Sequence, residues 1–540
     1  MIKTNSMMRV IAIPIILFFV LFLIIPLVYV GIQSFQQDGK FTFAVYTEVL
    51  GKESIRQAFF NSVTISLWSA TVTTVIAFLL AYAVHFTRMK RWMKKTIQIG
   101  ITLPMLLPTI TYGFVLIYTF GNQGTFTQLI GKPLFSIYGF NGLLIGYVLY
   151  TVPIAFVLIS NVMQYIDKQY IYVSYLMNDK PLRRFYHTVL RPIVGTIGGA
   201  FILAFILSFT DFGIPASVGG EYDVVAMSLY RSMLGSIVRF DEGAAIAILM
   251  LLPACIGFIV LAYLQRFTVQ FKASDNLSIK RYMPRDLSFT FIAGLVIATI
   301  LLIFSTLIIV PFTKGYPYDL SFTLEHLMNV LQQKDLTGVY INSVIVSVLT
   351  AVIGVIVAFF AALISARTNF KGRGTFDTIS MITNTVPGMV LGLSYLFFFN
   401  SSSLKGTLLI IILSNVVHFF TTPYMMAKNA LQKMDSSWEI TGQLLQDSWI
   451  KTVFRVILPN SIHTIYNMTS YFFLNAMVTV SGVIFIVSTD TMLVSTRIKE
   501  LQHFAKYTDI FILSLFILAT NLVVKIIFDQ LAMKKESEVE

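Results

Sequence analysis

Long apolar stretches of about twenty residues follow one another along this chain, separated by shorter mixed segments. Each is long enough to cross a hydrocarbon core of roughly 30 Å as a helix. The pattern predicts spans near 10–32, 60–86, 97–120, 141–163, 193–210 and 243–264. Six more fall near 289–313, 341–366, 378–400, 406–427, 466–488 and 508–532. The expected fold class is an all-α polytopic membrane protein with twelve transmembrane helices. The run 11–32 exceeds the length of a signal-peptide core and no small-residue cleavage site follows it, so it reads as a retained first span.

The polar positions repeat as well. Asn61-Ser62-Val63-Thr64-Ile65-Ser66 opens the second span, and Asn342-Ser343-Val344-Ile345-Val346-Ser347 opens the eighth. The match continues through Ala77-Phe78 with Ala358-Phe359 and Ala81 with Ala362, while Pro153 and Pro423 take similar places in spans four and ten. Six spans per set put both copies into the bilayer the same way round, as two parallel six-helix repeats with a pathway between them. The expected segments are 1–56 (first span and external loop), 57–265 (first repeat), 266–337 (basic linker 266–288, seventh span and external loop), 338–530 (second repeat) and 531–540 (tail).

Charge fixes an orientation. The net charge is +13 over 540 residues, of which only 12% are charged and 56% are hydrophobic, with a mean hydropathy of +0.78. With the N-terminus in the cytoplasm, 26 of the 39 Lys and Arg fall on that side and 12 on the other. The surplus is therefore a topology signal and not a nucleic-acid footprint. Both termini are expected in the cytoplasm.

Candidate chemistry is sparse. The single Cys255 lies in an apolar run and reads as a packing residue, with no disulfide or cysteine metal site available. No G-x-x-x-x-G-K-[ST] loop occurs, so the chain has no P-loop for ATP. No catalytic or metal-binding constellation is evident. The spans carry almost no charge away from their ends, whereas an ion-coupled carrier buries ionisable groups at mid-membrane. His418 is the clearest mid-span ionisable group and reads as a helix–helix hydrogen-bonding residue. Asp211 and Asp509 fall at predicted span ends, within reach of water. If the chain is a transporter, its energy is expected from outside the chain.

Two mixed, helical segments stand out, YIYVSYLMNDKPLRRFYHTVLRPI at 170–193 and SWEITGQLLQDSWIKTVFRVILPNSI at 437–462. Each follows the fourth span of its half. In this the chain resembles the type I permeases of ABC importers, with both membrane subunits fused into one polypeptide over about 57–265 and 338–530. The motif is that family's EAA loop, E-A-A-x-x-x-G-x9-I-x-L-P. In the second copy Leu458-Pro459 ends the motif, Val456 takes the Ile position, Gln446 the Gly position, and Glu439-Ile440-Thr441-Gly442 the EAA region. In the first, Pro192 is the anchor, Val189 takes the Ile position, Arg191 replaces Leu, Asp179 falls at Gly and Val173-Ser174-Tyr175 at EAA. Neither copy keeps the glycine.

The resemblance implies that these are coupling helices docked on ATPase subunits. It carries that role to Tyr175, Leu176, Met177, Asp179, Leu182 and Pro192, and to Glu439, Gly442, Leu444, Leu445, Gln446, Asp447, Trp449 and Pro459. The bland alternative is an amphipathic helix packed on its own bundle or on lipid headgroups. The implied partners are two ABC ATPase subunits, an extracytoplasmic solute-binding protein, membrane lipid and a small-molecule solute. No cofactor is expected in this chain, with ATP and Mg held by the ATPase subunits, and the implied location is the cytoplasmic membrane of a bacterial cell.

The strings 208–235, 385–400 and 475–488 resemble a subgroup containing 2-aminoethylphosphonate importers and, close by, ferric-iron importers, with the phosphonate branch favoured by PGMVLGLSYLFFFN and TDFGIPASVGG. The glycines and prolines of these strings also suit helix breaks and close packing. Polar residues that could contact a solute are Asp211, Ser394, Tyr395, Asn400, Asn475, Thr479 and Ser481. The expected function is the permease subunit of an ATP-driven importer, itself no enzyme, for a hydrophilic solute such as a phosphonate. The alternatives are a ferric-iron permease of the same family, an ion-coupled secondary carrier and a membrane scaffold.

Overall fold

Long apolar runs without water partners satisfy their backbone within one segment as helices, and the computed structural model is built almost wholly from them. It describes residues 5–37, 39–264, 266, 282–368, 371–435 and 437–539. Of the expected linker 266–288, residues 267–281 lie outside the described residues. Among those described, eight helices are long and apolar enough to cross a membrane, or up to eleven spans if each of three bent pairs counts as one. The expected twelve is thus not reached by length and composition. The shortfall is at 466–488, where the helix Ile462–Val478 stops after 17 residues and irregular chain follows. At 1.5 Å per residue it spans about 26 Å.

Element order shows a longer repeat than sequence matching does. The helices Asn5–Phe19 and Ile25–Gln33, joined by a π-helical turn, lead to a two-stranded hairpin (Gln36–Gln37 with Lys40–Phe41). A short helix Ala44–Gly51 and a 34-residue helix Glu53–Phe86 follow. Later, the helix Met283–Ile309 leads to a hairpin (Thr313–Gly315 with Asp319–Phe322), a short helix Glu325–Gln332 and a 34-residue helix Lys334–Arg367. The hairpins are the only strands among the described residues, a small departure from an all-α chain.

The chain divides into two compact units, and each borrows a helix from the other end of the sequence. In one, residues 48–238 and 252–326 come together. Glu53–Phe86 packs there against Phe140–Met163, Val194–Thr210 and Met283–Ile309. Small residues let the backbones approach, with Ala77, Ala81 and Ala83 against Val152, Phe156 and Ile159. Hydroxyl pairs tie the same helices, Thr73 to Thr151 at 2.7 Å and Ser69 to Ser208 at 3.0 Å. The other unit joins residues 1–47, 239–251 and 327–540. Lys334–Arg367 packs there on Leu408–His418, Thr421–Lys433 and Ile462–Val478, and Ile25–Gln33 lies along Gly388–Phe398. The buried Tyr395 hydroxyl donates to the Phe22 carbonyl at 2.5 Å, pinning the N-terminal helix. Cys255 is exposed on the helix Phe240–Leu264, so the expected packing role fails.

Candidate functional site

Each mixed segment folds as a helix, a tight turn and a second helix. The first is Gln169–Leu176 followed by Pro181–Phe185, and the second Ser437–Leu444 followed by Trp449–Thr452. The turn is made by one left-handed residue, Asn178 at φ +55° and Gln446 at φ +57°. The next residue closes it, with Asp179 N bonding Ser174 O at 3.1 Å and Asp447 N bonding Gly442 O at 2.9 Å. Its carboxylate then pairs one turn on, Asp179 with Arg183 at 3.5 Å and Asp447 with Lys451.

This geometry corrects the register read from the motif. The position that needs glycine is the one at positive φ, and in the first copy that is Asn178 and not Asp179. The first copy holds one extra residue between the turn and Pro192, because Pro181–Phe185 is one residue longer than Trp449–Thr452. Both helices then run into a five-residue π-helical segment, Tyr186–Leu190 and Val453–Ile457. Beyond these, Pro192 sits half-buried in a 3-10 turn and Pro459 exposed in Leu458–Asn460.

The turns present apolar tips. Leu176 and Met177 are 87% and 73% exposed, and their counterparts Leu444 and Leu445 are 79% and 70% exposed. Leu182 is exposed as well, and Tyr175 half-exposed beneath Arg184, whose guanidinium lies 3.3 Å from the ring centre. Three expected contact residues face inward instead. Trp449 is buried, and Gly442 packs so tightly that a Cβ there would lie 2.7 Å from the Thr452 hydroxyl. Glu439 is buried too, and its carboxylate takes both nitrogens of a fork from Arg367, the last residue of Lys334–Arg367. The remaining Arg367 N–H groups donate to the carbonyls of Leu431, Met434 and Asp435 at 2.6–3.2 Å. Asp435 starts this segment, and hydrogen bonds from Ser437 hold its carboxyl below the usual carboxylate range.

The polar pathway candidates divide. In one unit the helices Arg91–Thr102 and Thr109–Phe120 meet at a 108° bend at Pro108. Asp211 is buried beside that bend and its carboxylate accepts from Ile214 N at 2.9 Å, so it caps a turn and is not open to water as expected. In the other unit Gly374–Thr385 and Gly388–Phe398 bend by 102° at Pro387, and 479–482 press against the bend. A Cβ on Gly113 would meet Ser217 Oγ at 1.8 Å, and one on Gly392 the Gly482 carbonyl at 2.8 Å. Ser481 and Thr479 lie in this second cluster with His418, whose buried Nδ1 has no partner among the described residues, contrary to the expected hydrogen-bonding role.

Ser394 is fully buried and bonded to its own helix, Asn475 bonds Tyr471 O at 2.8 Å, and Asn400 is exposed and bonded to Lys405. Tyr395 lines a cavity of about 380 Å³ with Phe399, Lys405, Phe485 and Ser488. Among the described residues no group of three or more His, Cys, Asp or Glu could hold a metal ion.

The sequence pair Asn-Ser has the same task in both units. Asn61 Nδ2 donates to Asp223 O at 3.0 Å and Ser62 Oγ accepts from Val225 N at 2.8 Å. Asn342 Nδ2 donates to Asp490 O at 3.1 Å and Ser343 Oγ accepts from Val494 N at 2.8 Å. Pro153 and Pro423 are less alike. Phe140–Met163 runs unbroken through Pro153, while Leu408–His418 and Thr421–Lys433 meet at a 51° bend just before Pro423.

A duplicated array of apolar helices with paired polar loops is the frame of a polytopic membrane protein. The chain belongs to the family of binding-protein-dependent transport system inner membrane components, whose model matches residues 73–270 and again 353–536. It is an ABC importer permease, and membership implies an ATPase and a solute-binding protein as partners. It is 25% identical over 511 residues to the ferric transport system permease protein FbpB of Actinobacillus pleuropneumoniae, covering 91% of this chain and 74% of that one. A ferric transport system permease protein of Haemophilus influenzae is also 25% identical, over 88% of this chain and 77% of its own length. A spermidine/putrescine permease homologue of Mycoplasma pneumoniae is 27% identical over 43% of this chain and 77% of its own. The two relatives that match most of this chain are ferric permeases, as in the stated alternative, and none of the three is a phosphonate permease.

Proposed function

We propose that this permease carries ferric iron, handed over by a binding protein on the external face and driven by two ATPase subunits at the Asn178 and Gln446 turns. The observation that carries the solute is the match to ferric permeases over about nine-tenths of the chain, through both repeats. The short strings that resemble the phosphonate branch lie against the Pro108 bend and at the Pro387 bend, where glycine and proline serve the backbone.

ATP-driven closure of the partner subunits pushes the apolar tips Leu176-Met177 and Leu444-Leu445, and the helices behind them transmit the displacement. The free energy comes from the partners' different affinity for the two states of the permease. This chain makes and breaks no covalent bond. Ferric iron crosses as cargo, past amide and hydroxyl groups such as Asn475, Thr479 and Ser481, which hold it only in passing. The test is uptake by cells expressing the chain with its ATPase and binding protein. Radiolabelled ferric iron should accumulate and 2-aminoethylphosphonate should not. Phosphonate uptake without iron uptake overturns the assignment of solute.

A further inference from the structure

The two polar loops differ behind their turns. Phe86 and Arg367 are both the last residues of 34-residue helices, each followed by an extended threonine, Thr87 or Thr368. Ile171 and Glu439 stand equally far before the left-handed residues Asn178 and Gln446. In the second copy, then, a guanidinium and a carboxylate fill the space between long helix and loop. In the first copy the same two positions are apolar, and a cavity of about 400 Å³ opens there. That is the volume of a small-molecule site.

The cavity is cationic. Lys168, Arg184 and Arg285 line it, together with Tyr82, Tyr172 and Tyr175, and among the described residues no carboxylate does. Arg285 is paired with Asp286 at 2.7 Å. Lys168 and Arg184 have no ion pair among the described residues, and Lys94 is near enough to Lys168 for the two to repel. Arg184 is held in place by its stack on Tyr175 and a 2.8 Å bond to Asp179 O, yet its Nε is buried with no hydrogen-bond partner. A buried donor on a cation is costly to leave unpaired.

We propose that this cavity binds a phosphate-bearing anion, which supplies from outside the negative charge that Glu439 supplies internally in the second copy. An ammonium and a guanidinium suit phosphate oxygens, and the tyrosine rings can cover the ester side of the ligand. The phosphate can come from an acidic phospholipid headgroup or from solution. Because Arg184 also holds Asp179, an occupied site stiffens the first turn and leaves the second unaffected.

The test uses the full chain in nanodiscs of phosphatidylcholine with or without phosphatidylglycerol, with retained lipid counted by native mass spectrometry after mild delipidation. A second arm titrates inorganic phosphate against the delipidated chain and reads thermal unfolding. Retained phosphatidylglycerol assigns the lipid source, and stabilisation by phosphate alone assigns the solution source. In either case Lys168→Gln with Arg184→Gln should weaken binding by about tenfold or more. A second variant, Phe86→Arg with Ile171→Glu, keeps every cation but installs the second copy's internal pair, and it should lose the anion as well. Absence of both lipid retention and phosphate stabilisation overturns the proposal, as does undiminished binding by the Phe86→Arg, Ile171→Glu chain.

Discussion

The two polar loops share a backbone and disagree about what lies behind it. The second is locked from within by Arg367 and Glu439, whose bonds also bind three carbonyls at the loop's start. The first has Phe86 and Ile171 at those positions and a cavity ringed by cations. Helix, left-handed turn, closing aspartate and following ion pair survive in both. Duplication has therefore conserved the presented tip and let the anchoring chemistry diverge. Tip and anchor can be broken separately.

The tips give the largest expected effect. Leu176→Asp and Leu444→Asp alter side chains that are 87% and 79% exposed, so unfolding should be almost unchanged. Each should still weaken ATPase recruitment by about 2 kcal/mol or more, roughly 30-fold, if the tip is an interface anchor. Together they should abolish co-purification of the ATPase. Equal single effects would make the loops equivalent sockets; normal recruitment by the pair would remove the docking role from both.

The anchors should differ. Arg367→Met strands a buried carboxylate, an expected loss of about 3–5 kcal/mol in denaturant unfolding. The matching Phe86→Met should cost about 1 kcal/mol, because the two side chains have similar volume. Replacing both partners, Arg367→Phe with Glu439→Ile, should recover most of the loss, since an apolar pair of similar size is often a neutral exchange for a buried ion pair. A double variant as unstable as Arg367→Met would show that the Arg367 bonds to Leu431, Met434 and Asp435 carry the anchor instead.

A symmetric pair supplies the control. Ser62→Ala and Ser343→Ala each leave one buried N–H without its acceptor, that of Val225 or Val494. Each should lose about 1–3 kcal/mol, by nearly the same amount. This part of the structure was legible in the sequence, because Asn61-Ser62 and Asn342-Ser343 are short polar strings at the mouths of apolar helices. The bends at Pro108 and Pro387 were legible in kind, from proline and glycine inside apolar runs. Other features were not. Tyr395 reads as a polar pathway residue, but its hydroxyl is spent on the Phe22 carbonyl 373 positions away, and no local pattern reports so distant a contact. Glu439 reads as an exposed docking charge because its partner Arg367 lies 72 residues upstream. The span 466–488 reads as one helix because hydropathy continues past Val478, where the backbone does not.

The register of the first turn is hidden from the sequence for a similar reason, and the smallest predicted effects resolve it. Counting back from Pro192 assumes a fixed spacing, while the short helix between the turn and the π-helical segment holds one added residue. A left-handed backbone costs an L-residue roughly 1–2 kcal/mol, less for asparagine, whose short amide can bond locally. Glycine removes that strain but adds about 0.5–1 kcal/mol of unfolded-state entropy. Gln446→Gly should therefore stabilise the chain by about 0.5–1 kcal/mol, and Asn178→Gly by about half of that or less. Asp179→Gly should instead destabilise, because Asp179 accepts from Ser174 Oγ at 2.8 Å and pairs with Arg183. Thermal unfolding of the three variants separates the two registers: stabilisation by Asp179→Gly and not by Asn178→Gly would return the glycine position to 179, and with it the assumption that the two loops are equally long.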